Sequence, residues 1–248
     1  MKQQGPGNHH NAHGQEIGYP VANWTARALP GETPMIGRFA RVERLSLDAH
    51  LDEIWAAIQT ETTDADWTYS PPDQPRTRSE LEALLLTYVA SPDPLFHAIV
   101  DVSTNKAVGW ATFMRMDPAM GVIEVGNIRF TPLLQQTRAG TEAMFLMMTR
   151  AFDELGYRRY EWKCHSLNAP SRAAALRYGF TYEGTHRQAM VLKGNNRDTS
   201  WYSILDSEWP DVRAAFEGWL SDANFDDRGQ QRQRLQDIRA KVAANRAT

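Results

Sequence analysis

Gly121-Val-Ile-Glu-Val-Gly-Asn-Ile-Arg-Phe130, then Thr131-Pro-Leu-Leu-Gln-Gln-Thr-Arg-Ala-Gly140, is the stretch on which the reading of the fold turns. The first ten residues are rich in β-branched and apolar side chains and predict a strand. After the loop, Met144, Met147, Met148, Ala151, Phe152 and Leu155 recur at helical spacing up to Gly156, a residue suited to ending a helix. Tyr160 to Cys164 reads as a short strand. The order strand, helix, strand from Gly121 to Cys164 is a crossover unit, which pairs its two strands in parallel. A loop entering a helix presents unpaired N–H groups and the positive end of the helix dipole, a ready site for phosphate or pyrophosphate, although many such loops hold no ligand.

Upstream, Phe39 to Leu45 reads as a strand, and Asp48 as the N-cap of a helix carrying Leu51, Ile54, Trp55 and Ile58. A second helix is predicted to open at Ser79, with Glu82 completing a capping box, and to carry Leu81, Leu84, Leu85 and Tyr88. Between the two helices, Trp67 to Pro75 is too irregular for either period. Phe96 to Val102, Ala107 to Met116 and the Gly121 strand form a three-strand meander. Downstream, Pro170 to Tyr178 is a short helix closed by Gly179, followed by strands near Tyr182 to Leu192 and Trp201 to Leu205 and a helix around Val212 to Leu220. The fold class is α+β: a mixed, mostly antiparallel sheet flanked by helices, containing one parallel pair. The expected division is a flexible tail over 1–36, a domain over 37–210 and a helical C-terminal extension over 211–248.

The chain has 248 residues, 42% of them hydrophobic, enough to bury a full core. Its 27 Lys and Arg against 30 Asp and Glu leave a net charge of −3, with no excess that would draw it to nucleic acid or an anionic membrane. Cys164 is the only cysteine, which excludes an intrachain disulfide and a Cys-rich metal site and suits a reducing cytoplasm. No apolar run approaches the ~20 residues that span a bilayer. His9, His10 and His13 lack acidic partners nearby, so a solvated tail is expected there and no metal site. The segment from Phe225 to Ala247 could serve as an assembly arm in a homo-oligomer.

Gln135-Gln136-Thr137-Arg138-Ala139-Gly140 resembles the cofactor loop of the GNAT superfamily of N-acetyltransferases, Gln/Arg-x-x-Gly-x-Gly/Ala, with Arg138 replacing the first glycine. Gln135 to Ala143 is closer to the form in the RimJ/RimL-like branch, Gln-x-Thr-x-Ala-Ala/Gly-Thr-Glu-Ala. Asn168 and Ser171, before a helix ending in Gly179-Phe180, resemble a second signature of that branch. The resemblance covers roughly residues 37 to 210. It implies acetyl-CoA as cofactor, with the N–H groups of Gln136, Thr137, Arg138, Ala139, Gly140 and Thr141 on the pyrophosphate, and Gln135 opening the motif. Arg138 adds a charge-assisted contact to a phosphate or else is paired on the surface. Backbone groups of Ile128, Arg129 and Phe130 meet the pantetheine, laid as an extra strand in the gap between the strands ending at Phe130 and Cys164.

By the same resemblance Asn168 touches the pantetheine and Ser171 lies near the thioester sulfur. Ala175 stands where many GNAT enzymes carry a tyrosine acid, which leaves Ser171 or a water to assist the leaving thiolate. Glu124, eleven residues before Gln135, stands where relatives carry a general base. Alternation puts Glu124 on one face with Val122, Gly126 and Ile128, an apolar setting that would favour proton abstraction; a salt-bridged strand glutamate is the other reading. Trp67 and Tyr69 lie in the segment that caps the acceptor side in relatives. Cys164 and His165 are adjacent on a strand and point to opposite faces, so they form no dyad. The implied activity is direct acetyl transfer to a primary amine, a small molecule slightly ahead of a protein N-terminus because no acidic patch for basic ribosomal proteins is evident. A catalytically silent CoA-binding module is the second reading.

Overall fold

Leu95–Asp101 is buried almost end to end because both faces of its strand are covered: Phe96, Ala98 and Val100 join one apolar cluster and Ile99 the other. The computed structural model describes residues 7, 9–61 and 63–246. Its elements are β1 (His9–His10), β2 (Glu16–Ile17), β3 (Met35–Ile36), β4 (Ala40–Arg44), α1 (Leu47–Ile58), a 3-10 turn Asp64–Trp67, α2 (Arg78–Val89), β5 (Leu95–Asp101), β6 (Lys106–Asp117) and β7 (Val122–Phe130). There follow α3 (Arg138–Thr149), prolonged by a π-helical turn Arg150–Glu154, β8 (Arg159–His165), α4 (Ala169–Tyr178), β9 (Thr181–Leu192), β10 (Asn195–Leu205), α5 (Trp209–Leu220), a 3-10 turn Asp222–Asn224 and α6 (Leu235–Arg246).

Eight strands form one sheet in the order β3-β4-β5-β6-β7-β8-β10-β9. Every pairing in it is antiparallel except β7 with β8, the pair joined by the α3 crossover. Leu51, Ile54 and Ile58 of α1 and Leu81 and Leu85 of α2 pack on one face. Met144, Met147 and Met148 of α3 and Phe216 and Trp219 of α5 pack on the other. Among the described residues no helix is long and apolar enough to cross a membrane.

Three local expectations shift. Ser46, not Asp48, is the N-cap of α1; its N–H donates to His50 Nδ1 at 3.0 Å, so the His50 ring does the capping and Asp48 only complements the dipole from the first turn. The capping box of α2 is Thr77 with Glu80, not Ser79 with Glu82: Thr77 Oγ1 accepts from Glu80 N–H at 3.1 Å, and Glu80 reaches back to Arg76 N–H at 2.7 Å. Glu82 instead pairs with Arg78 on the surface. Within the expected tail, residues from Trp24 onward lie along the domain, because Trp24 Nε1 donates to Ala119 O at 2.7 Å and Tyr157 hydroxyl to Ala28 O at 3.2 Å. Gly156 (φ 68°) and Gly179 (φ 105°) end their helices as expected.

His97 is 2% exposed and donates from Nδ1 to Leu95 O at 3.0 Å. Burial, helped by Arg44, pushes its pKa down to about 4. The folded state therefore refuses a proton that the unfolded chain takes up below about pH 6.5, so stability is full above that pH and falls as pH drops toward 4. Chemical denaturation is expected to show a loss approaching ~1.4 kcal/mol per pH unit across that window, absent from His97→Gln. An identical pH slope in the variant would remove His97 as its source.

Candidate active site

The parallel register of β7 with β8 stops at Val125 opposite Trp162. The cause lies on the other side of β7, where Trp110 faces Arg129 and Thr112 faces Gly126, so three steps on β7 match two on β6. This bulge centres on Asn127, whose φ is 44°. An extra residue bends its strand and breaks the ladder, so β7 parts from β8 where the gap between Phe130 and Cys164 was expected. The bulge also changes parity. Arg129, not Ile128, shares the face of Glu124 and Gly126, and Ile128 turns to pack on the α3-side core.

A cavity of ≈ 190 Å³ occupies this gap, with Gly126, Asn127, Ile128 and Arg129 on one wall and Lys163, Cys164 and His165 on the other. Asn168 and Ser171 close one end, and Trp67, Tyr69 and Pro71 another. The irregular segment expected on the acceptor side is thus at the cavity, held by Arg129. That guanidinium stacks 3.8 Å over Trp67, pairs with Glu61 at 2.5 Å and donates to Asp66 O at 2.9 Å. Tyr69 donates to Leu167 O at 3.2 Å and sits edge-on to His165.

At the entrance of α3, Thr137 is the N-cap, its Oγ1 accepting from Gly140 N–H at 3.0 Å. Thr137 N–H donates to Leu134 O and Thr141 N–H to Thr137 O. The N–H groups of Gln136, Arg138 and Ala139 have no acceptor among the described residues. Of the six N–H groups expected to face an anion, these three are the ones left over. Gly140 leaves no room for a side chain: a Cβ there would lie 2.6 Å from Leu134 O and 3.1 Å from the Phe130 ring. Gln135 is spent on its own loop, donating to Phe130 O at 2.9 Å. The Arg138 side chain turns away to the C-terminal segment, 3.5 Å over the Phe225 ring and 3.3 Å from Asp222.

Asn168 caps α4, accepting from Ser171 N–H at 3.1 Å. Ser171 Oγ accepts from Trp162 Nε1 at 3.1 Å, which leaves the hydroxyl proton to donate elsewhere. Cys164 is buried, and burial pushes its thiol pKa up. His165 Nδ1 accepts from Leu167 N–H at 3.1 Å, and burial lowers its pKa.

Glu124 is 2% exposed, but its setting is not the apolar one expected. Arg115 Nη1 lies 2.9 Å from both carboxylate oxygens, and Lys163 Nζ is 2.9 Å from Oε2. Lys163 also meets Glu161 at 2.7 Å and lies 3.7 Å over the Trp201 ring. Arg115 reaches in from the irregularity on β6 between Met114 and Asp117, where its φ is 45°, and Lys163 by pleating, two residues beyond the Glu161 that faces Glu124 across the parallel pair. Glu124 does not line the cavity; Lys163 does.

The sequence from residue 42 to 181, more than half of the chain, matches the family described as Acetyltransferase (GNAT) domain. The chain belongs to the GNAT acetyltransferase family. A GCN5-related N-acetyltransferase from Brucella melitensis is 48% identical over 89% of this chain and all of that one, with a TM-score of 0.87. A GNAT-family structure from Chromobacterium violaceum ATCC 12472 is 36% identical over 77% of this chain and 96% of its own, with a TM-score of 0.72. "Putative ribosomal N-acetyltransferase YdaF" of Bacillus subtilis (strain 168) is 36% identical over 69 residues, 28% of this chain and 38% of that protein. These likenesses agree with the RimJ/RimL-like resemblance of the loop.

Two side chains of this GNAT site escaped the sequence reading. Lys163 was legible in part, because Glu161, Lys163 and His165 alternate with Trp162 and Cys164 and so put three polar groups on one face of an interior strand. Arg197 was not. Asn195 to Ser200 carries no apolar alternation, yet it forms the first half of β10 because the Lys193-Gly194 turn folds it against β9.

Proposed function

We propose that this GNAT chain transfers an acetyl group from acetyl-CoA directly to a primary amine. The observation that carries this is the pairing of three uncommitted N–H groups at the start of α3 with the unpaired end of the β7–β8 gap and the cavity that occupies it. Donors without partners suit a pyrophosphate, and strand edges without partners suit the amide-bearing pantetheine arm. The donor supplies an activated thioester; the chain binds it, orients it and excludes water. A peptide α-amino group, with a pKa of about 7.7–8.0, is roughly one-tenth neutral near pH 7, against a few parts in ten thousand for a lysine. An acceptor of the first kind therefore needs little help in losing its proton. In this reading Glu124 is a positioning residue that fixes Lys163 at the cavity wall, and a small cavity favours a small amine over a folded protein. Thiol release on mixing acetyl-CoA with an amine library tests the reading; acetyl-CoA binding without any release would leave a silent CoA-binding module.

The loop assignment has a test that spares the fold. Thr137 is extended (φ −97°, ψ 164°), as a residue before proline prefers, and position 138 is the first helical one. Arg138→Pro removes one uncommitted N–H, and Arg138→Ala controls for the lost guanidinium. Since a hydrogen bond to a charged group is worth ~1.5–3 kcal/mol, calorimetry is expected to show acetyl-CoA binding weaker by about 10- to 150-fold in the proline variant than in the alanine one. Equal affinities would remove the N–H of residue 138 from the site.

Ser171, holding Trp162 by its oxygen, has its proton available for the departing sulfur. Ser171→Ala is expected to lower turnover about two- to ten-fold, the worth of one hydrogen bond at ~0.5–1.5 kcal/mol, with acetyl-CoA affinity little changed. Unchanged turnover in a destabilised protein would reduce Ser171 to packing Trp162.

A further inference from the structure

Arg197 is half-buried in β10 and lines the cavity. Among the described residues its guanidinium makes no hydrogen bond and no ion pair, and its Nε is buried without a partner. Among the described residues Arg172, on α4 beside Cys164, also lacks an acid but gives its guanidinium to the Tyr202 hydroxyl and Ser166 O, and the other cations near the cavity are matched. Arg129 has Glu61, Lys193 has Asp73, and Arg115, Lys163 and Arg159 share Glu124, Glu161 and Glu183. Asp66, the one acid among the lining residues, is exposed at the rim, where water screens it. Alternate residues farther along β10 repeat the pattern, since Thr199 Oγ1 and Trp201 Nε1 are also buried and unpartnered.

A guanidinium whose Nε is buried is costly unless something negative meets it, and its planar fork fits a carboxylate or phosphate. Burial pushes its pKa down, with Cys164 and Glu124 opposing that shift at longer range and Arg115 adding to it. The pyrophosphate belongs elsewhere, at the start of α3, so the cofactor does not supply that charge in the arrangement proposed above. We propose that Arg197 receives an oxyanion carried by the acceptor, so that the amines acetylated are small molecules bearing a carboxylate or phosphate. This inference rests on the acetyl-transfer reading. With the amine directed at the thioester between Cys164 and Ser171, the anionic group lies against β10 and fixes which end of the acceptor enters.

The test uses matched acceptors: free L-amino acids against their carboxamides, and 2-aminoethyl phosphate against 2-aminoethanol, each with acetyl-CoA, thiol release as readout and rates referred to the neutral fraction of each amine. Wild type is expected to favour an anionic member over its neutral partner by about ten-fold or more in kcat/KM, chiefly through KM. Arg197→Gln should erase that difference and Arg197→Lys restore part of it. Equal use of both members by wild type overturns the proposal, as does a uniform loss across both members in Arg197→Gln, which would assign the charge to the leaving thiolate. If no amine releases thiol, acetyl transfer itself fails. The anion site is then judged by thermal shift of the coenzyme A-loaded protein: stabilisation by anionic members alone, lost in Arg197→Gln, retains it, and no such shift ends it.

Discussion

Glu142→Ala is expected to cost about 3 kcal/mol or more of stability, although Glu142 lies on no wall of the cavity. Its carboxylate is 6% exposed and accepts from the N–H groups of Arg38, Phe39 and Ala40 at 3.0, 2.5 and 2.7 Å. The glutamate of the Gln135–Ala143 motif thus clamps the start of β4 onto α3. Alanine would strand three donors, each worth ~1–3 kcal/mol when buried unsatisfied, and water can relieve only part of that. For a chain of this length, ~3 kcal/mol lowers the melting temperature by about 6–12 °C. Because α3 also presents the N–H groups of the loop, acetyl-CoA affinity should fall with it. A melting temperature within 2–3 °C of wild type would show that the clamp is dispensable.

Glu124→Gln should have an effect of similar size for a different reason. Removing one partner of a buried ion pair costs ~3–5 kcal/mol because the other charge is left behind. Here the cost should sit near the lower limit, since Lys163 keeps Glu161 and Arg115 is half-exposed and can turn to water. The kinetic signature separates two roles. If Glu124 took the amine proton, turnover would drop about 10²–10⁴-fold and recover as rising pH deprotonated the acceptor unaided. A positioning residue gives a smaller loss that does not recover with pH, and this second profile is expected. Recovery of turnover at high pH in a folded Glu124→Gln protein would return the residue to the role of base.

Much of the architecture could be read from local order because it rests on local periods. The switch from strand to helix near Gly140, the stops at Gly156 and Gly179, and the crossover from Gly121 to Cys164 each depend on residues close in sequence, and all appear. The shift of the α2 cap from Ser79 to Thr77 is of the same kind. Two capping boxes overlapped, and the one whose glutamate reached a free N–H prevailed.

The site was legible where a motif marks backbone and illegible where side chains meet from distant strands. By itself the sequence determined that a parallel pair would exist and that a loop with spare N–H groups would open α3, while the places of Asn168 on the pantetheine and Ser171 near the thioester sulfur come from the resemblance alone. Only the tertiary structure decided which charges are spent and which remain. The bulge at Asn127 swaps Ile128 for Arg129 on the inner face. Lys163 comes across from β8 to claim Glu124, and the β9–β10 hairpin carries Arg197 to the cavity without a hydrogen-bond or ion-pair partner among the described residues. The physical reason is range. Periodicity and capping act over about four residues, whereas a charge is compensated by whatever the fold brings within a few ångströms, and the contacts at issue here join residues far apart in sequence, 104 positions in the case of Glu142 and Arg38.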